Sequence, residues 1–91
     1  MFTRREHDYC RSFADPAPRY AARWCAKEAV FKALSRRAPV DLRRIEIRRG
    51  KDGAPRVALP AGLRGYRVKV SLTHTPKVAM AVALAEKKRR P

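Results

Sequence analysis

Ninety-one residues suffice for one small domain, and 23 Lys plus Arg against 8 Asp plus Glu give it a formal charge of +15. A hydrophobic fraction of 45% excludes a disordered segment, and no apolar run nears the roughly 20 residues that cross a bilayer. Two cysteines, Cys10 and Cys25, without CxxC or paired Cys/His spacing, make neither a disulfide framework nor a zinc site.

In chain order, "FTRREHDYCRSF" places Thr3 and Glu6 at capping-box spacing, which predicts a short helix beginning near Thr3. "ADPAP" breaks it, because proline lacks an N–H and restricts the residue before it. A long helix is predicted from about Pro18 to Ser35. At roughly 100° per residue, Tyr20, Trp24 and Phe31 fall on one line, with Val30 and Leu34 beside it as the expected buried stripe. Glu28 and Lys32 lie on its edge with Ala21 and Cys25, while Ala22, Ala26, Ala29 and Ala33 fill the back.

After "SRRAP" the period changes to two. "RRIEIRR" alternates Ile45 and Ile47 against Glu46, "GKDGAP" supplies a turn, and "RVALP" repeats the alternation. "YRVKVSLTH" is the clearest strand, with Tyr66, Val68, Val70, Leu72 and His74 on one face. "TPK" turns the chain into "VAMAVALAE", where Val78, Met80, Val82 and Leu84 alternate with alanines, so both faces are expected to be covered. The residues 87–91 form a basic tail expected to fray. The expected architecture is a single α+β domain over 1–91, a long helix packed on a small antiparallel sheet. A core this small makes oligomerisation an expectation.

Three features bear on chemistry. Glu28 and Lys32 stand one helical turn apart; on spacing alone they form a surface ion pair worth about 0.2–0.5 kcal/mol. Alternatively, Glu28 holds a hard cation such as Mg²⁺, Lys32 touches phosphate oxygens on the same ion, and Arg23 reaches a second phosphate. His74 closes an apolar strand face, either as a structural residue or as a phosphate donor projected into a cleft beside Thr73 or Thr75. Ser71 and His74 point to opposite faces, and no G-x-S-x-G elbow, P-loop or Rossmann glycine pattern is present. The positive surplus calls for an anionic partner: nucleic acid, a polyphosphate ligand or an acidic protein. The charges scatter through every segment, and Tyr66 is the one aromatic suited to base stacking from a sheet, so nucleic acid is the less favoured partner.

The segments "FTRREHDYC", "RYAARWCAKEAVFKALS", "IEIRRGKDGAP" and "VSLTHTPKVAMAVALAE", in this order, resemble the holo-(acyl-carrier-protein) synthase branch of the 4′-phosphopantetheinyl transferases from Phe2 to Glu86. Two thiols read as reduced and an N-terminus without a signal-peptide core make a soluble, cytoplasmic protein the expectation. The resemblance implies Mg²⁺-dependent transfer of the phosphopantetheine arm of coenzyme A to a serine of an apo carrier protein. It implies Glu28 as metal ligand, Lys32 as pyrophosphate contact, and Arg23, Gly53, Pro55, His74 and Thr75 around the adenosine and its 3′-phosphate. It also implies a homotrimer with sites between subunits, an acidic carrier protein as partner, and no membrane. Relative to the family, the chain is expected to lack the first strand, whose Gly-Ile-Asp motif supplies a second metal-ligand aspartate. Activity of the chain alone is therefore expected to be impaired. The alternative is a basic module that binds nucleic acid or other polyanions by charge, without catalysis.

Overall fold

The computed structural model describes residues 1–88. The first helix, α1 (Arg4–Arg11), begins where the capping box predicts. Thr3 Oγ1 accepts from the Glu6 N–H at 3.2 Å, and Glu6 Oε1 accepts from the Thr3 N–H at 2.8 Å. The Asp15–Pro16 break follows, and α2 (Ala17–Ser35) runs for 19 residues. Two antiparallel hairpins complete the fold: β1 (Glu46–Arg49) with β2 (Pro55–Ala58), and β3 (Tyr66–His74) with β4 (Ala79–Lys87).

The α+β class stands, but the expected single sheet is two two-stranded ribbons. β2 is four residues long and starts on Pro55, which has no N–H to donate. The chain then leaves through Pro60 and a 3₁₀ turn, Ala61–Leu63, before β3 begins. A groove of about 440 Å³ lies between the ribbons, with Pro55, Arg56 and Val57 on one side and Arg67, Val68 and Val70 on the other.

The core joins Ala26, Val30 and Leu34 of α2 to Ile45, Ile47 and Leu63. Leu34 and Val30 lie in the stripe expected from the sequence; the aromatics do not. Tyr20, Trp24 and Phe31 are half-buried, and the buried positions are Ala22, Arg23, Ala26 and Lys27. Phe31 packs at the edge of this core, whereas Tyr20 and Trp24 face the segment that leads into α1: the Phe2 ring lies 5.1 Å from Tyr20 and 6.4 Å from Trp24. Alanine wins the centre because it lets backbones approach, and β4 meets α2 with its own alanine row, Ala81, Ala83 and Ala85.

Alternation along β3 is as predicted, with Tyr66, Val68, Val70, Leu72 and His74 inward. On β4 the outward row departs from expectation. Val78, Met80, Val82 and Leu84 are 58% to 71% exposed, so within one chain this face is uncovered. Of the basic tail, Lys87 is the last residue of β4 and the Lys88 N–H donates to Gly65 O at 2.8 Å; residues 89–91 lie outside the described residues.

An ion pair ties the layers together. Glu6 and Lys27 are both fully buried, with Lys27 Nζ 2.7 Å from Glu6 Oε1. Glu6 Oε2 accepts from the Ile47 N–H at 2.8 Å. One carboxylate thus receives α1's own capping bond, a lysine of α2 and a backbone amide of β1. Buried charges are tolerated when paired and hydrogen-bonded in this way.

Candidate functional site

The inner end of β3, the first turns of α2 and the β1–β2 turn converge on one cleft of about 330 Å³. Its wall is formed by Tyr9, Arg19, Ala22, Arg23, Arg49, Gly53, Pro55, Leu72, Thr73 and His74, with three arginines and no carboxylate. Four of the residues singled out from the sequence, Arg23, Gly53, Pro55 and His74, are therefore brought together from segments that lie far apart in the chain.

Arg23 occupies the inner wall because α2 buries that face. It is 6% exposed, its guanidinium sits 4.3 Å from the centre of the Tyr9 ring, and its buried Nε has no hydrogen-bond partner among the described residues. An unpaired buried donor on a cation is costly, and an anion seated in the cleft would relieve that cost. The Arg19 guanidinium lies over the Phe13 ring at 4.0 Å, and its Nη1 is 3.1 Å from His74 Nε2.

The turn that carries Gly53 and Pro55 is held by its own chemistry. Gly53 has φ of +84°, the left-handed region that a side chain disfavours. The Gly50 N–H donates to Ala54 O at 2.7 Å, and the Gly53 N–H donates to Gly50 O at 2.9 Å. Asp52 Oδ1 accepts from the Ala54 N–H at 3.0 Å, and Arg56 Nη2 donates to Asp52 Oδ2 at 3.1 Å. The Ala54 amide first, and then the Arg56 guanidinium, hold the Asp52 carboxyl below the usual carboxylate range, against the opposing effect of burial.

Thr75 lies one residue beyond the cleft and lines an adjoining cavity with Phe13, Asp15, Arg19 and His74. Its Oγ1 accepts from the N–H groups of Lys77 and Val78 at 3.2 and 3.0 Å, which fixes the β3–β4 turn. Glu28 and Lys32 are not on the cleft wall. Five residues on from Arg23, Glu28 points roughly 140° round the helix. Its carboxylate is 34% exposed and lies 3.9 Å from Lys32 Nζ, whose side chain is 78% exposed. Lys32 borders an open hollow with Ala29, Ala33 and the β4 residues Ala81 to Ala85. The cleft and the Glu28–Lys32 edge are thus two separate regions of one chain.

Sequence reasoning missed Tyr9, Arg19 and Arg49 on the cleft wall, and the buried Glu6–Lys27 pair. The one available signal was the density of arginine itself, which spacing could not sort into wall and surface. Cys10 adds no nucleophile: burial pushes its thiol up, outweighing the nearby arginines. Among the described residues no three His, Cys, Asp or Glu side chains cluster as a metal cage.

Comparison with known proteins agrees with the architecture. The family model described as ACPS, 4′-phosphopantetheinyl transferase superfamily, matches residues 1–84. The holo-[acyl-carrier-protein] synthase of Thermodesulfovibrio yellowstonii is 40% identical over 83 residues, covering 89% of this chain and 70% of that protein. The fatty acid synthase alpha subunit aflA of Aspergillus parasiticus is 39% identical over 95 residues, and there the chain spans 91% of itself but 6% of its relative. A solved structure of Mycobacterium tuberculosis acyl carrier protein synthase superposes with a TM-score of 0.79 at 39% identity, over 96% of this chain and 81% of that one. The Chronobacterium ammoniagenes ACPS–CoA complex shares the fold at 23% identity, with a TM-score of 0.78 over 97% of this chain and 78% of that one.

Proposed function

This chain belongs to the 4′-phosphopantetheinyl transferase superfamily, and we propose that it transfers the 4′-phosphopantetheine group of coenzyme A to a serine of an acidic apo acyl carrier protein, in the cytoplasm. The observation that carries this is the basic cleft. Arg23 is buried there with an Nε that has no partner among the described residues, beside Arg19, Arg49 and His74 and with no carboxylate on the described wall. Such a site suits a polyanionic ligand of nucleotide type, and the synthases to which the chain is similar carry that activity in their names. A net charge of +15 favours encounter with an acidic protein as well.

In the transfer, the serine oxygen forms a bond to the phosphorus that bears the pantetheine. The bond from that phosphorus to the bridging oxygen of the diphosphate breaks, and adenosine 3′,5′-bisphosphate leaves. A loose phosphoryl-type transition state asks the protein for positioning and positive charge more than for covalent help. Arg23, His74 and Thr75 hold the 3′-phosphate end, Gly53 and Pro55 lie against the adenosine, and Lys32 faces the diphosphate. Glu28 would hold a Mg²⁺ ion. A lone, partly exposed carboxylate suits an ion that keeps several waters and takes further ligands from phosphate oxygens. Bound there, the ion would neutralise charge on the diphosphate.

The separation of Glu28 from the cleft, together with the uncovered β4 row, supports a homotrimer in which the site lies between subunits. Covering Val78, Met80, Val82 and Leu84 removes an apolar patch that a monomer leaves in water. The cleft of one subunit would then face Glu28 and Lys32 of its neighbour.

Thermal melting with coenzyme A, with and without Mg²⁺, tests the proposal. Protection that requires Mg²⁺ and disappears in Glu28→Ala is the expected result. Equal protection by coenzyme A, heparin and DNA, lost steeply with salt and unchanged in Glu28→Ala, would identify a charge-only polyanion binder instead.

A further inference from the structure

Each member of the buried Glu6 junction stands one structural repeat from a different wall of the basic cleft. On α1, Tyr9 follows Glu6 by three residues, so the two lie toward one side of the helix. On α2, Arg23 precedes Lys27 by four residues, and both are buried on one face. On β1, Arg49 follows Ile47 by two residues, on the same side of the strand. Lys27 Nζ donates to Glu6 Oε1 at 2.7 Å and the Ile47 N–H donates to Oε2 at 2.8 Å, so one carboxylate spaces all three walls.

Charge makes such a fixture useful. Arg23 and Arg49 share the cleft with Arg19 and His74, and among the described residues neither makes an ion pair. Cations gathered in this way repel one another, and a carboxylate on the wall that held them would also repel an anionic ligand. Glu6 is 1% exposed and off the wall, so it anchors the elements without facing the cleft. Stability alone is a weak reason for a buried ion pair, because well-packed carbon is often as stable. Charge-assisted bonds add direction, and a site works only when the residues behind it fix its geometry.

We infer that Glu6 and Lys27 are positioning residues for coenzyme A. Their junction sets the spacing of Tyr9, Arg23 and Arg49, and through them the affinity of the cleft, beyond what the pair adds to stability. The ligand in this inference rests on the transferase reading.

Isothermal titration of the full chain with coenzyme A in Mg²⁺ tests it. The proteins are the wild type, Lys27→Met, Glu6→Gln combined with Lys27→Met, and Leu34→Ala, each under conditions where circular dichroism shows it folded. The double variant leaves no stranded charge and carries the test where Lys27→Met alone does not fold. Both junction variants should lose about tenfold or more in affinity, the scale on which removing a supporting partner weakens a site. Leu34 lies about 16 Å along the helix axis from Arg23. Leu34→Ala should therefore stay within about twofold of the wild type, as a distant and independent site does. Without ligand, the ring current of Tyr9 on the Arg23 side-chain protons, read by NMR, should weaken in the double variant and persist in Leu34→Ala. Wild-type affinity in the double variant, or an unchanged ring current, would overturn the positioning role. An equal loss in Leu34→Ala would overturn it too, since affinity would then follow stability. A wild type that binds no coenzyme A would overturn the transferase reading instead, and the ligand-free ring current would then decide the junction alone.

Discussion

Two Glu–Lys pairs meet on α2 and behave in opposite ways. Lys27 reaches back to Glu6 across 2.7 Å with both side chains fully buried, while Lys32 lies 3.9 Å from Glu28 at the surface. The first pair has excluded water and accounts for its lone pairs with the Thr3 and Ile47 amides. The second keeps its solvent and leaves the carboxylate available. Burial turns one pair into a fastener between α1, α2 and β1, and exposure leaves the other ready for a ligand. Residues 27 and 28 are neighbours in sequence, yet a step of roughly 100° round the helix separates architecture from chemistry.

Breaking each pair at its lysine should expose the difference. Lys27→Met strands a buried carboxylate, and loss of one partner of a buried pair costs about 3–5 kcal/mol. Urea unfolding should show this as a large drop in midpoint, and no drop would mean that Glu6 finds water or another cation. Leu34→Ala removes fully buried core carbon from the same helix and should cost about 2–5 kcal/mol in the same measurement. Lys32→Met should change stability by no more than about 0.5 kcal/mol, the scale of an exposed i, i+4 pair, while lowering transfer activity. A large stability loss at Lys32 would erase the distinction between the two pairs.

The smallest effect belongs to the β1–β2 turn. The Asp52 carboxyl is held below its ordinary range chiefly by the Ala54 amide, so its contribution is present above the unfolded carboxylate range and is lost as pH falls through its lower folded value. Acid titration of the Ala54 amide by NMR should therefore show a transition on the acidic side of the usual aspartate range, absent in Asp52→Asn. A transition at the ordinary aspartate position would show that the turn does not hold the carboxylate.

Local signals were the legible ones. Thr3 and Glu6 announced the start of α1, and strict alternation from Tyr66 placed His74 on the inner face of β3, where it reaches the cleft. The buried face of α2 was not legible, because apolar residues surround this helix and periodicity cannot choose between an aromatic line and an alanine line. Aromatic bulk suggested the core, yet Phe2 draws Tyr20 and Trp24 aside. The Glu6–Lys27 pair joins residues 21 positions apart, and no local pattern encodes such a contact. The split sheet likewise depends on where Pro55 and Pro60 interrupt pairing, which a list of strands does not reveal. Of the candidate site, Arg23 and His74 were candidates from helix position and strand alternation, Gly53 and Pro55 came from the resemblance, and the four converge in space; Arg19 and Arg49 emerged once the walls were assembled.

The most direct measurement of the transferase proposal is the mass of an apo acyl carrier protein after incubation with this chain, coenzyme A and Mg²⁺. A gain equal to one phosphopantetheine group on its serine, abolished when Glu28→Gln replaces the wild type, is the predicted result. An unmodified carrier protein under conditions where the chain is folded and saturated with coenzyme A would contradict it.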